Sequence, residues 1–571
     1  MHDQVIRGGT VIDGSGSAGR TADVAVEGAR IVAVGEKLGP ARREINADGL
    51  LVTPGFVDIH THYDGQATWD PYLTPSSWHG VTTAVFGNCS VGFAPVKRDQ
   101  TDYLINLMEG VEDIPGTVLS EGVSFDWESF PEYLDALETM TRSMDIGAQM
   151  PHAALRFYVM GERGADHSEA PTEGEIKHMG DLLEEALHAG ALGFTTSRTT
   201  KHRAADGRVT PTLSAREAEL LGMAAAMKRA GKGVIEVNSD FGPGEFEAMR
   251  AAAELSERPL SCLIVQVRNA PELWRETMAN IHAARDAGIA CNGQVHVRGI
   301  GMLMGLETRL NPFHTHPAWQ LLADLDPRVR FERLRSDAAL RERLVTERPE
   351  DKHTAWVDSL IDNLFRLDDG VRYEPASDES LGAEARRQGV APWALLLDWL
   401  MASDGQGLVM HPFENYYGGN LDDIREMLLD DASVIGVADG GAHVGVICDA
   451  GAPTFMMTHW TRDRTRGPGL PLEFLIHKHT HGNALAYGLG DRGLLAPGYK
   501  ADINVIDYDA LRLKAPRVIY DLPAGGRRLV QESVGYRHTF VSGIETRRDD
   551  AFTGELPGTL VRGERGAPTG S

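Results

Sequence analysis

Two histidines one residue apart, His60 and His62, close an apolar run in Gly55-Phe56-Val57-Asp58-Ile59-His60-Thr61-His62-Tyr63-Asp64. Phe56, Val57 and Ile59 suit a buried strand, and Thr53-Pro54-Gly55 before them is a turn signal. Residues two apart on a strand share a face. A strand over 56–62 therefore aims both imidazoles one way, and imidazole is the commonest metal-binding side chain. Two ordinary polar residues at a strand end would give the same letters, so the pair needs support from its surroundings.

Other apolar runs end in reactive side chains too. Cys89 follows Phe86-Gly87-Asn88, and thiolate is a strong zinc ligand, although an unpaired cysteine is most often a small buried hydrophobe. Asp439 stands in Val437-Ala438-Asp439-Gly440-Gly441-Ala442-His443. Its carboxylate could bind a metal or take a proton from water, or it could simply form a turn before glycines. His60, His62, Cys89 and Asp439 make the candidate metal set. Asp439, His443 and His202 are the catalytic candidates, the histidines because they titrate near working pH. Arg198, Asn238, Gln266, His296 and His411 lie near the ends of apolar runs and are candidates for holding substrate. Lys201 lies past its run and ranks below them.

These residues need a scaffold that brings strand ends together. The chain has 571 residues, 42% of them hydrophobic, which suits a large barrel plus a smaller module. Residues 55–485 alternate short apolar runs with helical patterns, as in a parallel α/β sheet. Eight strands are expected, at 56–62, 82–86, 146–150 with Val159 nearby, 191–195, 233–237, 261–265, 289–295 and 434–439. Helical patterns cover 173–189, 215–230, 274–287 and 421–429. Eight such units predict a (β/α)8 TIM-like barrel, whose chemistry sits at the C-terminal ends of its strands. Residues from about 300 to 405 are too long for a loop and predict a helical insertion between strands 7 and 8. Residues 1–54 and 486–571 both read as short strands with glycine turns, predicting a small β-sandwich built from both chain ends. Residues 566–571 read as a loose tail.

The net charge of −26 argues against nucleic acid and against anionic membrane as partners. Four scattered cysteines without a CxxC predict a reducing compartment. No run of about 18 apolar residues occurs, and the first residues lack a basic region followed by an apolar stretch. A cytoplasmic protein acting on a small molecule is expected, with a homo-oligomer left open.

Taken together, Pro54 to His62, Gly80-Val81-Thr82-Thr83, the late strand ending in Asp439, and Asp491-Arg492-Gly493-Leu494-Leu495-Ala496-Pro497-Gly498-Tyr499-Lys500-Ala501-Asp502 resemble the amidohydrolase superfamily. Gly87-Asn88-Cys89 resembles its D-aminoacylase branch, the N-acyl-D-amino-acid deacylases. The resemblance covers both ends and the expected barrel strands. It implies a barrel with a split β-sandwich and metal-dependent hydrolysis of a C–N amide bond. It also implies that Cys89 replaces the modified lysine used as a metal ligand elsewhere in the superfamily, and that Asp439 acts as base and then acid. The superfamily usually carries histidines at the ends of the fifth and sixth strands. Here Asn238 and Gln266 stand near those places, and neutral amides are poor zinc ligands. One zinc per chain is therefore expected, with another divalent metal as the alternative. Two further readings stay open: the same metal barrel acting on a lactone, ester or C–C bond, and a binding protein that has lost its metal.

Overall fold

The computed structural model describes residues 1–368 and 370–569. Eight parallel strands organise it: β1 (Phe56–Asp58), β2 (Val81–Phe86), β3 (Asp145–Ala148, continued by Met150–Pro151), β4 (Gly193–Arg198), β5 (Val234–Ser239), β6 (Leu260–Ile264), β7 (Cys291–Val295) and β8 (Ser433–Ile435). They neighbour one another in chain order. Pairing is continuous from β1 through Ala148, and again from Met150 to β8. Single bonds from Gln149 N–H to Phe86 O and from Leu192 N–H to Ala148 O bridge the break. Beyond β8 the chain reaches back to β1. Asp439 N–H donates to His60 O, and His62 N–H donates to Gly440 O. The Asn483 amide donates to both Val57 O and Ile435 O. Every residue of β2 and β4 is buried, as expected of strands covered on both faces.

Helices between the strands begin and end where their sequences say. Glu173–Ala189 opens with Thr172 and Glu175 bonding reciprocally to each other's backbone N–H, and Gly190 caps its far end. Glu217–Ala230, Leu273–Asp286 and Asp422–Leu429 match the helical patterns to within two residues. Val159 is not in a strand but in the helix His152–Met160, which packs its apolar face inward.

The terminal segments form one nine-stranded sheet. Its order is Ala551–Phe552, Ile544–Arg548, Tyr536–Val541, Ile503–Ile506, Leu51–Pro54, His2–Val11, Arg20–Glu27 and Arg30–Gly35, with Ala41–Asn46 also pairing His2–Val11. Its own apolar core includes Val11, Val24, Val52, Ile503 and Phe540. The Gly8-Gly9 pair does not break the first strand but shifts its register. After the sheet, the chain runs beneath β3, where Ile146 N–H donates to Thr559 O and Val561 N–H to Ile146 O. Backbone bonds hold the chain as far as Arg565, which exchanges them with Gly488 and Gly490; 570 and 571, the end of the expected tail, lie outside the described residues.

The segment between β7 and β8 carries helices, among them Pro327–Ser336, Ala338–Thr346 and Pro392–Gly405, and three antiparallel strands hold it together. Ile300–Gly305, Leu408–Glu414 and Phe365–Leu367 form a small sheet with Leu408–Glu414 in the middle. A separate core of Phe313, Trp319, Leu334, Val357, Leu396 and Leu400 fills the unit. Among the described residues no helix is long and apolar enough to cross a membrane.

A buried ion cluster joins the terminal sheet to the parallel strands. Asp145 of β3 lies 2.8 Å from Arg492 Nη1 and 3.0 Å from Lys500 Nζ, and Lys500 also meets Asp502 at 2.7 Å. Burial opposes ionisation of Asp145, but Lys500 and Arg492 outweigh it and hold the carboxyl well below its usual range. Asp145→Asn should therefore destabilise the protein by about 1–3 kcal/mol at pH 7, because Arg492 and Lys500 lose a buried partner and keep only Asp491 and Asp502. The depressed carboxyl contributes its stabilisation in full above the unfolded carboxylate pKa of about 4 and loses it progressively as pH falls towards its own lower value. The gap between mutant and parent should accordingly close as pH falls below that value. Urea denaturation of both proteins across the pH range measures this.

Candidate metal centre

The strand ends of β1, β2, β5, β7 and β8 converge on one buried cluster. His60, His62 and Cys89 each offer a ligand atom, and all these atoms lie within 4.8 Å of one another. Cys89 Sγ sits 3.4 Å from His60 Nε2. Asp439 Oδ1 closes the group, 3.5 Å from His60 Nε2 and 3.7 Å from His62 Nε2. That oxygen is buried and has no hydrogen-bond partner. β1 itself ends at Asp58, so His60 and His62 stand just beyond it, their rings edge-on with centroids 5.4 Å apart.

The backbone is bent sharply to place these groups. Gly87 turns the chain after β2 with φ of +84°, and a Cβ there would lie 2.3 Å from Gln149 O. Cys89, Ser90, Asp439 and His443 then all adopt positive φ, between 48° and 71°. Each such non-glycine residue costs on the order of 1–2 kcal/mol, which the surrounding contacts must hold in place.

A second layer fixes the imidazoles. Gln294 of β7 places Oε1 2.9 Å from His60 Nδ1, while its amide nitrogen donates to Ser261 Oγ and Tyr487 OH. This leaves His60 Nδ1 as donor and its Nε2 lone pair free for the cluster. Glu112 Oε1 stands 3.4 Å from His62 Nδ1. Glu236 of β5 accepts from Cys89 N–H at 3.3 Å and lies 3.8 Å from His60 Nδ1.

The electrostatics ask for a cation. Asp58, Asp64, Glu112, Glu236 and Asp439 are gathered here, and among the described residues none is paired with lysine or arginine. Burial pushes Asp58 and Asp64 up to about 7 and Glu236 up to about 8, and neighbouring Asp439 adds to the rise at Asp58 and Glu236. Burial raises Glu112 well above its usual range, helped by Asp439, Asp64 and Glu236. Burial likewise raises the Cys89 thiol, with Glu236 and Glu112 beside it. His60 goes the other way, down to about 4, chiefly through burial. Asp439 stays charged, because the imidazoles around it outweigh its burial. The result is neutral imidazole next to carboxylate, with a thiol that a cation would have to deprotonate. Two nitrogens, one sulfur and an unpartnered carboxylate oxygen fit zinc.

The structure brings some of the other candidates to this cluster and not others. His443 Nε2 is 3.8 Å from Asp439 Oδ2 and 3.6 Å from Glu112 Oε2, on the open side. His202 reaches it through Asn238, whose amide lies 3.3 Å from His202 Nε2 and 3.5 Å from Cys89 Sγ. His296 is buried with both ring nitrogens unpartnered, 3.6 Å from Asp449. Arg198 instead pairs with Glu245 and donates to Ala215 O. Gln266 bonds Asp423 and the backbone of Tyr417. His411 lies in the insertion sheet, bonded to Asn363. Lys201 pairs with exposed-side Glu414.

Sequence reasoning missed Glu112, Glu236 and Gln294. Glu236 could have been found: a charge inside the apolar run Val234-Ile235-Glu236-Val237 must be answered by something in the fold. Glu112 ends an ordinary amphipathic helix and carries no such mark.

The family model described as the amidohydrolase family matches residues 43–546. A D-aminoacylase of Alcaligenes xylosoxydans xylosoxydans is 38% identical over 195 residues, which are 34% of this chain and 37% of that relative. The match thus spans little more than a third of that relative's length. A D-aminoacylase crystal structure, described as defining a novel subset of amidohydrolases, superposes with a TM-score of 0.65 at 24% identity, covering 99% of this chain and 100% of that one. The zinc- and phosphonate-bound N-acyl-D-glutamate deacylase of Bordetella bronchiseptica gives 0.65 at 24%, covering 98% and 99%. At that identity the two structures speak for the fold.

If Gln294 sets the tautomer of His60, Gln294→Met should weaken metal binding by about 10- to 100-fold while the protein stays folded. Competition with a chromogenic chelator, alongside circular dichroism, gives the answer.

Proposed function

We propose that this chain, which belongs to the amidohydrolase family, hydrolyses the amide bond of N-acyl-D-amino acids. The domain reading goes with it: a (β/α)8 barrel over 55–485 interrupted by the insertion, and a module from 1–54 with 486–571. The observation that carries the proposal is the bare Asp439 Oδ1, buried over the His60–His62–Cys89 cluster. A carboxylate oxygen with no hydrogen-bond partner, facing the cluster, is placed to receive a proton.

His60 and His62, through Nε2, and Cys89, through Sγ, would hold one zinc, with Asp439 beside them. Bound zinc supplies Lewis acidity, lowering the pKa of a water and polarising the scissile carbonyl. Asp439 takes the proton of the attacking water as its oxygen bonds to the carbonyl carbon. The C–N bond then breaks, and Asp439 returns that proton to the leaving nitrogen, so a carboxylic acid and a free amino acid result. Glu112 and Gln294 keep His62 and His60 oriented. His443, the most open of the cluster's neighbours, faces the position where the carbonyl oxygen gathers charge, and donates to it. The similarity to a D-aminoacylase supports the D-configuration.

Asp439→Asn should lower kcat by about 10²- to 10⁴-fold while metal content stays near one per chain. Elemental analysis and steady-state assay of the same preparation read both. Chelated protein should lose activity and regain it with zinc. Turnover of a lactone or ester panel without any acylated D-amino acid would replace the amide reading.

A further inference from the structure

A cavity of about 230 Å³ opens between the ends of β5 and β6, walled by Asn238, Phe241, Leu263, Val265, Leu273 and Trp274. Asn238 is shared: it lines the cavity and its amide touches Cys89 Sγ at 3.5 Å, so one wall of the cavity borders the metal cluster. Apolar side chains share the walls with Thr200, Ser239, Asn269 and Thr277, and one buried donor there stands unpartnered. The Trp274 indole N–H is buried and has no partner, while the Arg275 guanidinium lies over the indole ring, 4.1 Å from its centroid. The rim carries Asp240, which bonds Thr199 and Thr200, and Lys201, which is already paired with Glu414.

We infer that this cavity binds the acyl group of the substrate and selects acyl chains longer than acetyl. The inference rests on the deacylase reading above. An N-acyl-amino acid has two halves, and only one is uncharged. The amino-acid half carries a carboxylate, which Asp240 at the rim repels and which Lys201, neutralised by Glu414, does not recruit. The acyl half starts at the carbonyl carbon, the atom that Asp439 and its neighbours must face. Asn238, in contact with that cluster, is therefore the first wall an acyl chain meets on leaving it. At about 30 Å³ per water-sized volume, the cavity holds roughly seven or eight such volumes, enough for a chain of about six carbons. The indole N–H offers one donor to an oxygen on such a chain.

The test is a series of N-acetyl, N-butanoyl and N-hexanoyl derivatives of one D-amino acid, assayed with the parent, Val265→Phe and Val265→Ala, each checked for metal content. In the parent, kcat/KM should rise by about fourfold for each methylene buried. Val265→Phe fills the cavity and should cut the hexanoyl-to-acetyl ratio by about tenfold, whereas Val265→Ala should keep or raise it. A ratio unchanged by Val265→Phe, in metal-loaded protein, overturns the assignment. If the parent hydrolyses no acylated D-amino acid, the deacylase reading falls, and calorimetric binding of hexanamide against acetamide then judges the cavity. Tighter hexanamide binding that Val265→Phe abolishes upholds it; equal binding of the two amides overturns it.

Discussion

Like charge buried without its counterion is the constraint on which this structure turns. Five carboxylates crowd the His60–His62–Cys89 cluster, and no lysine or arginine answers them among the described residues. Water would lower that repulsion, but it reaches the group only from the side of His443 and Asp439: His60, Glu112 and Glu236 are at most 1% exposed. Such a group of acids is tolerated only if some are protonated or if a cation joins them. The strained backbone at Cys89 and Asp439 makes sense in the same terms, since a ligand sphere repays a costly φ that packing alone would not.

The chain handles its other buried charges in the opposite way. Asp145 meets Arg492 and Lys500, and Arg298 meets Asp449 at 2.7 Å while stacking 3.6 Å over the Tyr373 ring. Glu374 takes Arg464 and His459, which with the backbone N–H of Leu421 hold it down to about 2 despite its burial, and so ties the insertion to the segment after β8. Each of these acids is matched with a cation and each joins two parts of the fold. The difference between matched and unmatched charge separates structural ion pairs from the reactive site within one molecule.

Much of this was legible in the sequence because the period of the chain announces it. The eight apolar runs and the helix patterns at 173–189 and 274–287 needed no tertiary information. His60, His62, Cys89 and Asp439 were found because each ends such a run. What lay hidden depends on contacts distant in sequence. Gln294 is a metal-site residue only because β7 faces His60 across 234 residues. Arg198 reads as a substrate ligand until Glu245, 47 residues on, claims its guanidinium. The antiparallel strands of the insertion escaped because its apolar residues serve a private core, and helical residues on either side set the local period. Gly8-Gly9 reads as a turn but serves as an irregularity within one strand, since a single register shift absorbs both residues.

The terminal sheet has a consequence in time rather than in space. Leu51–Pro54 runs directly into the loop that leads to His60, and its sheet partner is Ile503–Ile506. About 450 residues must be synthesised between the two. At roughly 5–20 residues per second, a ribosome takes on the order of 20–90 s to deliver the second strand after the first. Throughout that interval the nascent chain carries an unpaired sheet edge immediately before its reactive histidines, with β3 still lacking its strap at 559–561. Completion of the terminal sheet therefore waits on Ile503–Ile506, and a translation product shortened before that strand would expose an adhesive edge beside the ligands.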